Sequence, residues 1–171
     1  MKKYLIIFFF LFLQNSSYSE ETIVYLDVSF LLSQSEAGKY INSELKKIND
    51  KNNEEFKNIE ISIKSKEENL LKQKNILKEE EFNNKANKLR KEYTSYQEMK
   101  NSKNNELKNL RDNAGKQILI IINEILTEYS TKNKISLIME KKNIVIGKTD
   151  LDITKNILEL LNAKIKKVEL K

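Results

Sequence analysis

Residues 75–81 read Asn-Ile-Leu-Lys-Glu-Glu-Glu, and the fold turns on how they are taken. They lie inside a stretch from Lys39 to Ala114 that contains no Gly and no Pro. Without those breakers, a long polar stretch reads as helix. Three consecutive acids repel one another within a helix, whereas at a helix N-terminus the macrodipole favours them. The chain is therefore expected to turn over Asn75–Lys78 and to start a second helix at Glu79.

Working outward, apolar residues recur at steps of three and four on both sides of this turn. The first side gives Ile41, Leu45, Ile48, Phe56, Ile59, Ile63 and Leu70. The second gives Phe82, Ala86, Leu89, Tyr93, Tyr96, Leu107, Leu110 and Ala114. So narrow a stripe is a coiled-coil seam. The four-then-four step from Ile48 through Asn52 to Phe56 is a stutter, and Asn52, Lys66, Lys100 and Lys103 interrupt the stripe. Folding at the turn pairs Leu70 with Phe82, Ile63 with Leu89, Ile59 with Tyr93, Phe56 with Tyr96, Leu45 with Leu107 and Ile41 with Leu110. Paired residue numbers keep a nearly constant sum, as an antiparallel hairpin requires. Each leg would be about 55 Å long at 1.5 Å per residue. A register shifted by about eleven residues, turning near Asn83-Asn84, matches several of the same apolar positions and stays open on pattern alone.

The flanks have a different texture. Thr22–Val28 (TIVYLDV) is a strand candidate with apolar side chains on both faces, hence expected to be covered on both. Ser29–Leu32 suits one helical turn, and Ser35 is an N-cap candidate for the first leg. Ile118–Leu126 (ILIIINEIL) is apolar around more than one helical face, which predicts burial. Ile135–Met139 and Ile144–Ile146 read as two short strands joined by a Lys141-Lys142-Asn143 turn. Asp152 is expected to cap a last helix whose apolar face is Ile153, Ile157, Leu160, Leu161 and Ile165. The fold class is thus α+β. Residues 20–38 and 115–171 make a small β-containing body, and residues 39–114 make a long antiparallel helical-hairpin arm. That body is small for a self-sufficient core, so self-association is expected.

Composition removes most chemistry. The 171 residues include no Cys, His, Pro or Trp and three Gly. Thiolate chemistry, His-based zinc sites, Ser–His triads and glycine-rich phosphate loops are excluded. Asp27, Asp150 and Asp152 are explained as strand-end, turn and cap residues. No enzyme activity, catalytic residue, metal or cofactor is expected. The N-terminus carries Lys2 and Lys3, an apolar run from Tyr4 to Leu13, and a small-x-small site ending at Ser19. This is the pattern of a cleaved signal peptide over residues 1–19; ten apolar residues are too few to span a bilayer. The whole chain carries a formal net charge of +6. Its basic excess gathers near the turn, where residues 64–91 hold nine basic and five acidic side chains.

In this order and spacing, the strand IVYLDVSFLL, the helix start SEAGKYINSEL, the turn ILKEEEF and the tail ISLIMEKKNIVIGKTDLDITKNILELLN resemble the Skp/OmpH family of periplasmic chaperones for outer-membrane proteins. The resemblance covers residues 20–171. It implies a homotrimer whose bodies form a barrel-like hub, with three arms around a cavity that holds an unfolded outer-membrane protein without ATP. Lys78 departs from the Ser-like cap common at the second leg of that family.

On this reading the periplasm is the location, and unfolded outer-membrane proteins and further copies of the chain are the partners. Phe56, Tyr93, Tyr96 and Met99 offer adaptable client-contact surface, while Ile59, Ile63 and Leu89 join the legs. Lys72, Lys74, Lys78, Lys85, Lys88, Arg90 and Lys91 form a basic arm tip suited to acidic clients, anionic lipid or lipopolysaccharide. Ile23, Val24, Tyr25, Leu26, Val28, Ile144, Val145 and Ile146 are the oligomerisation candidates. Nucleic acid is a poor fit to an exported chain without a recognition motif. The alternative function is an exported coiled-coil structural or adaptor protein of the cell envelope, which would capture one folded partner and ignore unfolded chains.

Overall fold

The structure, a computed structural model, describes residues 21–171; the expected signal over residues 1–19 lies outside them. Strand β1 (Thr22–Leu26) leads into helix α1 (Val28–Gln34) and the long helix α2 (Glu36–Lys72). Helix α3 (Glu79–Asn133) returns along α2, and strand β2 (Ile135–Glu140) follows it. After two short 3-10 turns, helix α4 (Thr154–Lys164) completes the body. The α+β class and the helical hairpin are as the sequence predicts. The turn falls between Lys72 and Glu79, and Glu79, Glu80 and Glu81 fill the first turn of α3. Lys78 occupies the cap position and makes no side-chain cap bond.

β1 and β2 pair in parallel, with Ile23 opposite Leu137 and Leu26 opposite Glu140. Parallel neighbours need a crossover connection, and here the entire arm is that crossover. The core lies beneath the sheet. β1 contributes Val24 and Leu26, α1 Leu31, α3 Ile118, Ile122 and Ile125, and α4 Ile157 and Leu161. It continues up the root of the arm through Ile41, Leu45 and Ala114, with Leu107 and Leu110 packed against it. No helix of the described residues is long and apolar enough to cross a membrane.

Several local expectations change. Val28 begins a helix instead of ending the strand, because the Asp27 carboxylate accepts from the Phe30 backbone N–H at 2.8 Å and caps α1. Ile120 on α3 is 60% exposed, so the ILIIINEIL segment buries one face and not its whole circumference. Ile144–Ile146 is not a strand. Lys141–Asn143 winds as a 3-10 turn, and the chain beyond it runs past β1 rather than back along β2. There the Tyr25 hydroxyl donates to the Lys148 carbonyl at 3.1 Å, and the Ile153 N–H donates to the Tyr25 carbonyl at 2.9 Å. Asp152 serves α4 from one position further out than expected, accepting from the Thr154 N–H at 3.0 Å while Ile153 holds the cap position.

Ser35 caps α2 as expected, accepting from the Gly38 N–H at 3.1 Å. The sharp step from α1 to α2 presses Gly38 onto the Leu32 carbonyl, so an added Cβ would sit 1.9 Å from that oxygen. Gly115, inside α3, would meet nothing within 4 Å. Gly38→Ala should therefore cost about 2 kcal/mol or more in urea unfolding. Gly115→Ala should be neutral or stabilise by up to about 1 kcal/mol through helix propensity. Equal effects at the two sites would contradict this packing.

Candidate functional site

The arm holds its legs together at one level. Phe56 and Tyr96 meet edge-to-face, ring centroids 6.2 Å apart, and both are buried. This is the pairing of the unshifted register. The Tyr96 hydroxyl donates to Glu60. Lys100 Nζ donates to the Tyr96 hydroxyl at 3.2 Å and to Glu60 Oε1 at 3.4 Å, and lies 5.6 Å from the centroids of both rings. One turn nearer the body, Lys103 Nζ reaches Glu55 at 3.1 Å and the buried Asn52 Oδ1 at 3.4 Å. Asn52, Lys100 and Lys103, which break the apolar stripe in the sequence, thus form a polar clasp across the two legs. A polar group taken from water must be bonded, and among the described residues no buried side-chain N or O lacks a partner.

The clasp sets its own protonation. Hydrogen bonds from Tyr96 and Lys100 hold the Glu60 carboxyl below the usual carboxylate range. Burial, then the bond to Glu60, pushes the Tyr96 phenol up. The bonds to Tyr96 and Glu60 raise Lys100.

Beyond the clasp the packing thins. From residue 57 to residue 95 no residue is buried. The cross-leg ion pair there, Lys66–Glu92 at 2.6 Å, is half-exposed on both sides, a setting in which such pairs contribute little. Ile61, Leu71, Ile76 and Tyr93 are more than half exposed. Of the expected client-contact residues, Phe56 and Tyr96 are enclosed between the legs and pack on each other. Tyr93 is open, and Met99 is half-buried beside Ile59, Ile63 and Tyr96 in a groove along the hairpin. Ile61, Leu71 and Ile76 escaped the sequence reading. Their signal is that they are large apolar residues lying off the three-and-four stripe.

Lys72, Lys74, Lys78, Lys85, Lys88, Arg90 and Lys91 are all exposed. Lys85 pairs with Glu81 at 3.3 Å; the other six make no ion pair among the described residues. In the body, Val24, Tyr25 and Leu26 are buried within the single chain, as a strand with apolar side chains on both faces requires, and Val28 is half-buried. What the body leaves open is a face with Ile23, Leu137 and Met139, together with Val145 and Ile146, which are 98% and 91% exposed; Ile144 is half-buried. Leu137 and Met139 were not singled out beforehand. β2 pairs on one side only.

Asp27 caps α1, and Asp152 pairs with Lys141 at 2.7 Å. Burial pushes the Asp152 carboxyl up, but the hydrogen bonds from Lys141 and Thr154 outweigh it and hold the group below its ordinary value. Among the described residues no acidic cluster is assembled to hold a metal.

An α+β body with a projecting helical hairpin is the class that this geometry defines. A family model described as outer membrane protein (OmpH-like) matches residues 22–161, and the chain belongs to the OmpH-like family. Among solved structures, a candidate outer membrane chaperone (OmpH-like) from Caulobacter crescentus CB15 shares the fold with a TM-score of 0.78 at 16% identity, over 88% of this chain and 89% of that one. No curated protein matches the chain.

Truncating Phe56 to Ala should cost about 3 kcal/mol locally and speed amide exchange throughout residues 57–95, while Ile61→Ala should leave exchange unchanged. The clasp also has a defined pH window. The contribution from Glu60 is present above the ordinary carboxylate range and is lost as pH falls through its lowered value. The contributions from Tyr96 and Lys100 are present below their ordinary values and are lost as pH rises through their raised ones. Exchange in the arm, corrected for intrinsic rates, should hold constant across the neutral range and quicken at both extremes. A midpoint near neutrality would contradict the assignment, since the chain has no His.

Proposed function

We propose that this chain is an ATP-independent periplasmic holdase that keeps unfolded outer-membrane proteins from aggregating. The observation that carries this reading is the arm beyond the clasp. It has no buried residue, yet it presents Ile61, Leu71, Ile76 and Tyr93 among largely unpaired lysines. A surface of that kind binds apolar segments loosely, its charge draws in acidic chains, and its weak internal packing lets it adapt. Membership of the OmpH-like family supports the same reading. Tyr93, Met99, Ile61, Leu71 and Ile76 are the client contacts, with Phe56 and Tyr96 as the structural clasp behind them. The basic tip also suits anionic lipid or lipopolysaccharide.

The working form is a homotrimer assembled through the open edge of β2 and the Ile23, Leu137, Val145 and Ile146 surface. A small body with that much exposed apolar area gains by burying it against copies of itself.

Two measurements test this. Purified protein lacking residues 1–19, without nucleotide, should keep a urea-unfolded β-barrel membrane protein in solution at stoichiometric ratio; unchanged light scattering would sink the holdase reading. Capture of one folded envelope protein, with unfolded chains ignored, would establish the adaptor instead. Second, Leu137→Asp with Val145→Asp should leave helical circular dichroism intact and convert a trimer into monomers in sedimentation. A trimer that survives both changes would place the interface elsewhere.

A further inference from the structure

The last seven residues, Ile165-Lys-Lys-Val-Glu-Leu-Lys171, lie beyond the family match and do not simply trail away. Ile165 is extended. After a bend at the exposed Lys166 the chain alternates from Lys167: Val168 is buried in the body's core and Leu170 packs against it, while Lys167, Glu169 and Lys171 face water. The chain runs antiparallel to α3 at the root of the arm. Gln117 Nε2 donates to the Glu169 carbonyl at 3.2 Å, and Asn113 Nδ2 donates to a main-chain oxygen of Lys171 at 3.1 Å. On the α2 side, Lys167 Nζ stands 5.4 Å from the Tyr40 ring centroid and Lys166 reaches Glu36 at 3.4 Å.

Two amides four residues apart on a helix are separated by about 6 Å along its axis. Carbonyls two residues apart in an extended chain repeat at nearly the same spacing, about 6.7 Å. The side chains of Asn113 and Gln117 therefore read backbone, not sequence, while the apolar floor takes Val168 and Leu170.

We propose that the root of the arm is a binding groove for an extended segment of alternating apolar and polar residues, and that the chain's own tail occupies it as a stand-in for such a segment. Strands of outer-membrane barrels have this alternation. The identity of the natural occupant, an unfolded barrel strand, rests on the holdase reading; the groove itself rests on the tail geometry alone. A tethered tail acts at an effective concentration on the order of millimolar, so a client strand must displace it. The groove then engages clients arriving at high local concentration inside the arms and closes over its own tail otherwise.

The test uses the full exported chain and a fluorescein-labelled peptide with the sequence of residues 165–171. Val168→Asp with Leu170→Asp releases the tail. The released variant should bind the peptide about tenfold more tightly than the unaltered chain, the gain that removal of a millimolar tethered competitor gives when the segment's own Kd is about 0.1 mM. Adding Asn113→Ala and Gln117→Ala should abolish that gain. Equal peptide binding by the released and unaltered chains overturns the groove. Should the released variant lose its helical signal, the Asn113→Ala, Gln117→Ala pair in the otherwise unaltered chain decides: trypsin must then cut at Lys166 and Lys167 several-fold faster, and unchanged cleavage overturns the proposal. Tighter peptide binding with no gain in capture of an unfolded barrel protein overturns the client assignment and leaves the groove standing. Failure of the unaltered chain to suppress aggregation is a separate result, against the holdase reading.

Discussion

The parallel pairing of Thr22–Leu26 with Ile135–Glu140 is the constraint from which the rest follows. Two strands lying side by side in the same direction, with everything from Asp27 to Lys134 between them, oblige the chain to leave the body and come back. The helices do this as one hairpin of unequal legs. α2 spans 37 residues and α3 spans 55, because α3 continues past the root of the arm and becomes the central helix of the core. Arm and body are one continuous object, so strain or order at the root is carried directly to the sheet.

Packing is graded along this object. The body is dry and apolar, built on Leu31, Ile118, Ile122, Ile157 and Leu161, each fully enclosed. The middle of the arm is held by the mixed clasp of Phe56, Tyr96, Glu60, Lys100, Asn52 and Lys103. Past it the legs touch through half-covered side chains and the screened Lys66–Glu92 ion pair. An element that must bind loosely and let go is drawn from the weak end of such a gradient. The same residues that make the far arm a poor helical hairpin, Ile61, Leu71, Ile76 and Tyr93, make it an adhesive surface.

Much of this was legible in the residues. The absence of Gly and Pro from Lys39 to Ala114, the triple Glu at 79–81 and the three-and-four stripe predicted the hairpin and its turn. What pattern alone left open was the register, since the apolar positions fit two alignments. The structure resolves it at Phe56–Tyr96, with polar partners at 52, 60, 100 and 103 that a hydrophobic pattern counts as defects. Burial was misjudged wherever it depended on distant neighbours. Tyr93 and Tyr96 look alike in a heptad, yet one is open and the other enclosed. Val145 and Ile146 have strand-like composition, but the bonds between Tyr25 and the Lys148–Ile153 connector carry that segment away from β2. Val24 and Leu26 are read as covered, but the sequence cannot say how much of that cover α1 and α4 supply. The tail was invisible for a similar reason: a lone Val and Leu among lysines acquire meaning only beside Asn113 and Gln117.

A firm base and a progressively looser arm make one physical picture with one decisive observable. Hydrogen exchange followed along the whole chain, alone and with an unfolded barrel protein, reads that gradient directly. The account predicts slow exchange in β1, α4 and residues 114–125, intermediate exchange near Phe56 and Tyr96, fast exchange from residue 57 to residue 95, and added protection on client binding confined to that fast region, the adjoining turn that carries Met99 and the arm's root. Uniform exchange along the hairpin, or client protection appearing only in the body, would contradict it.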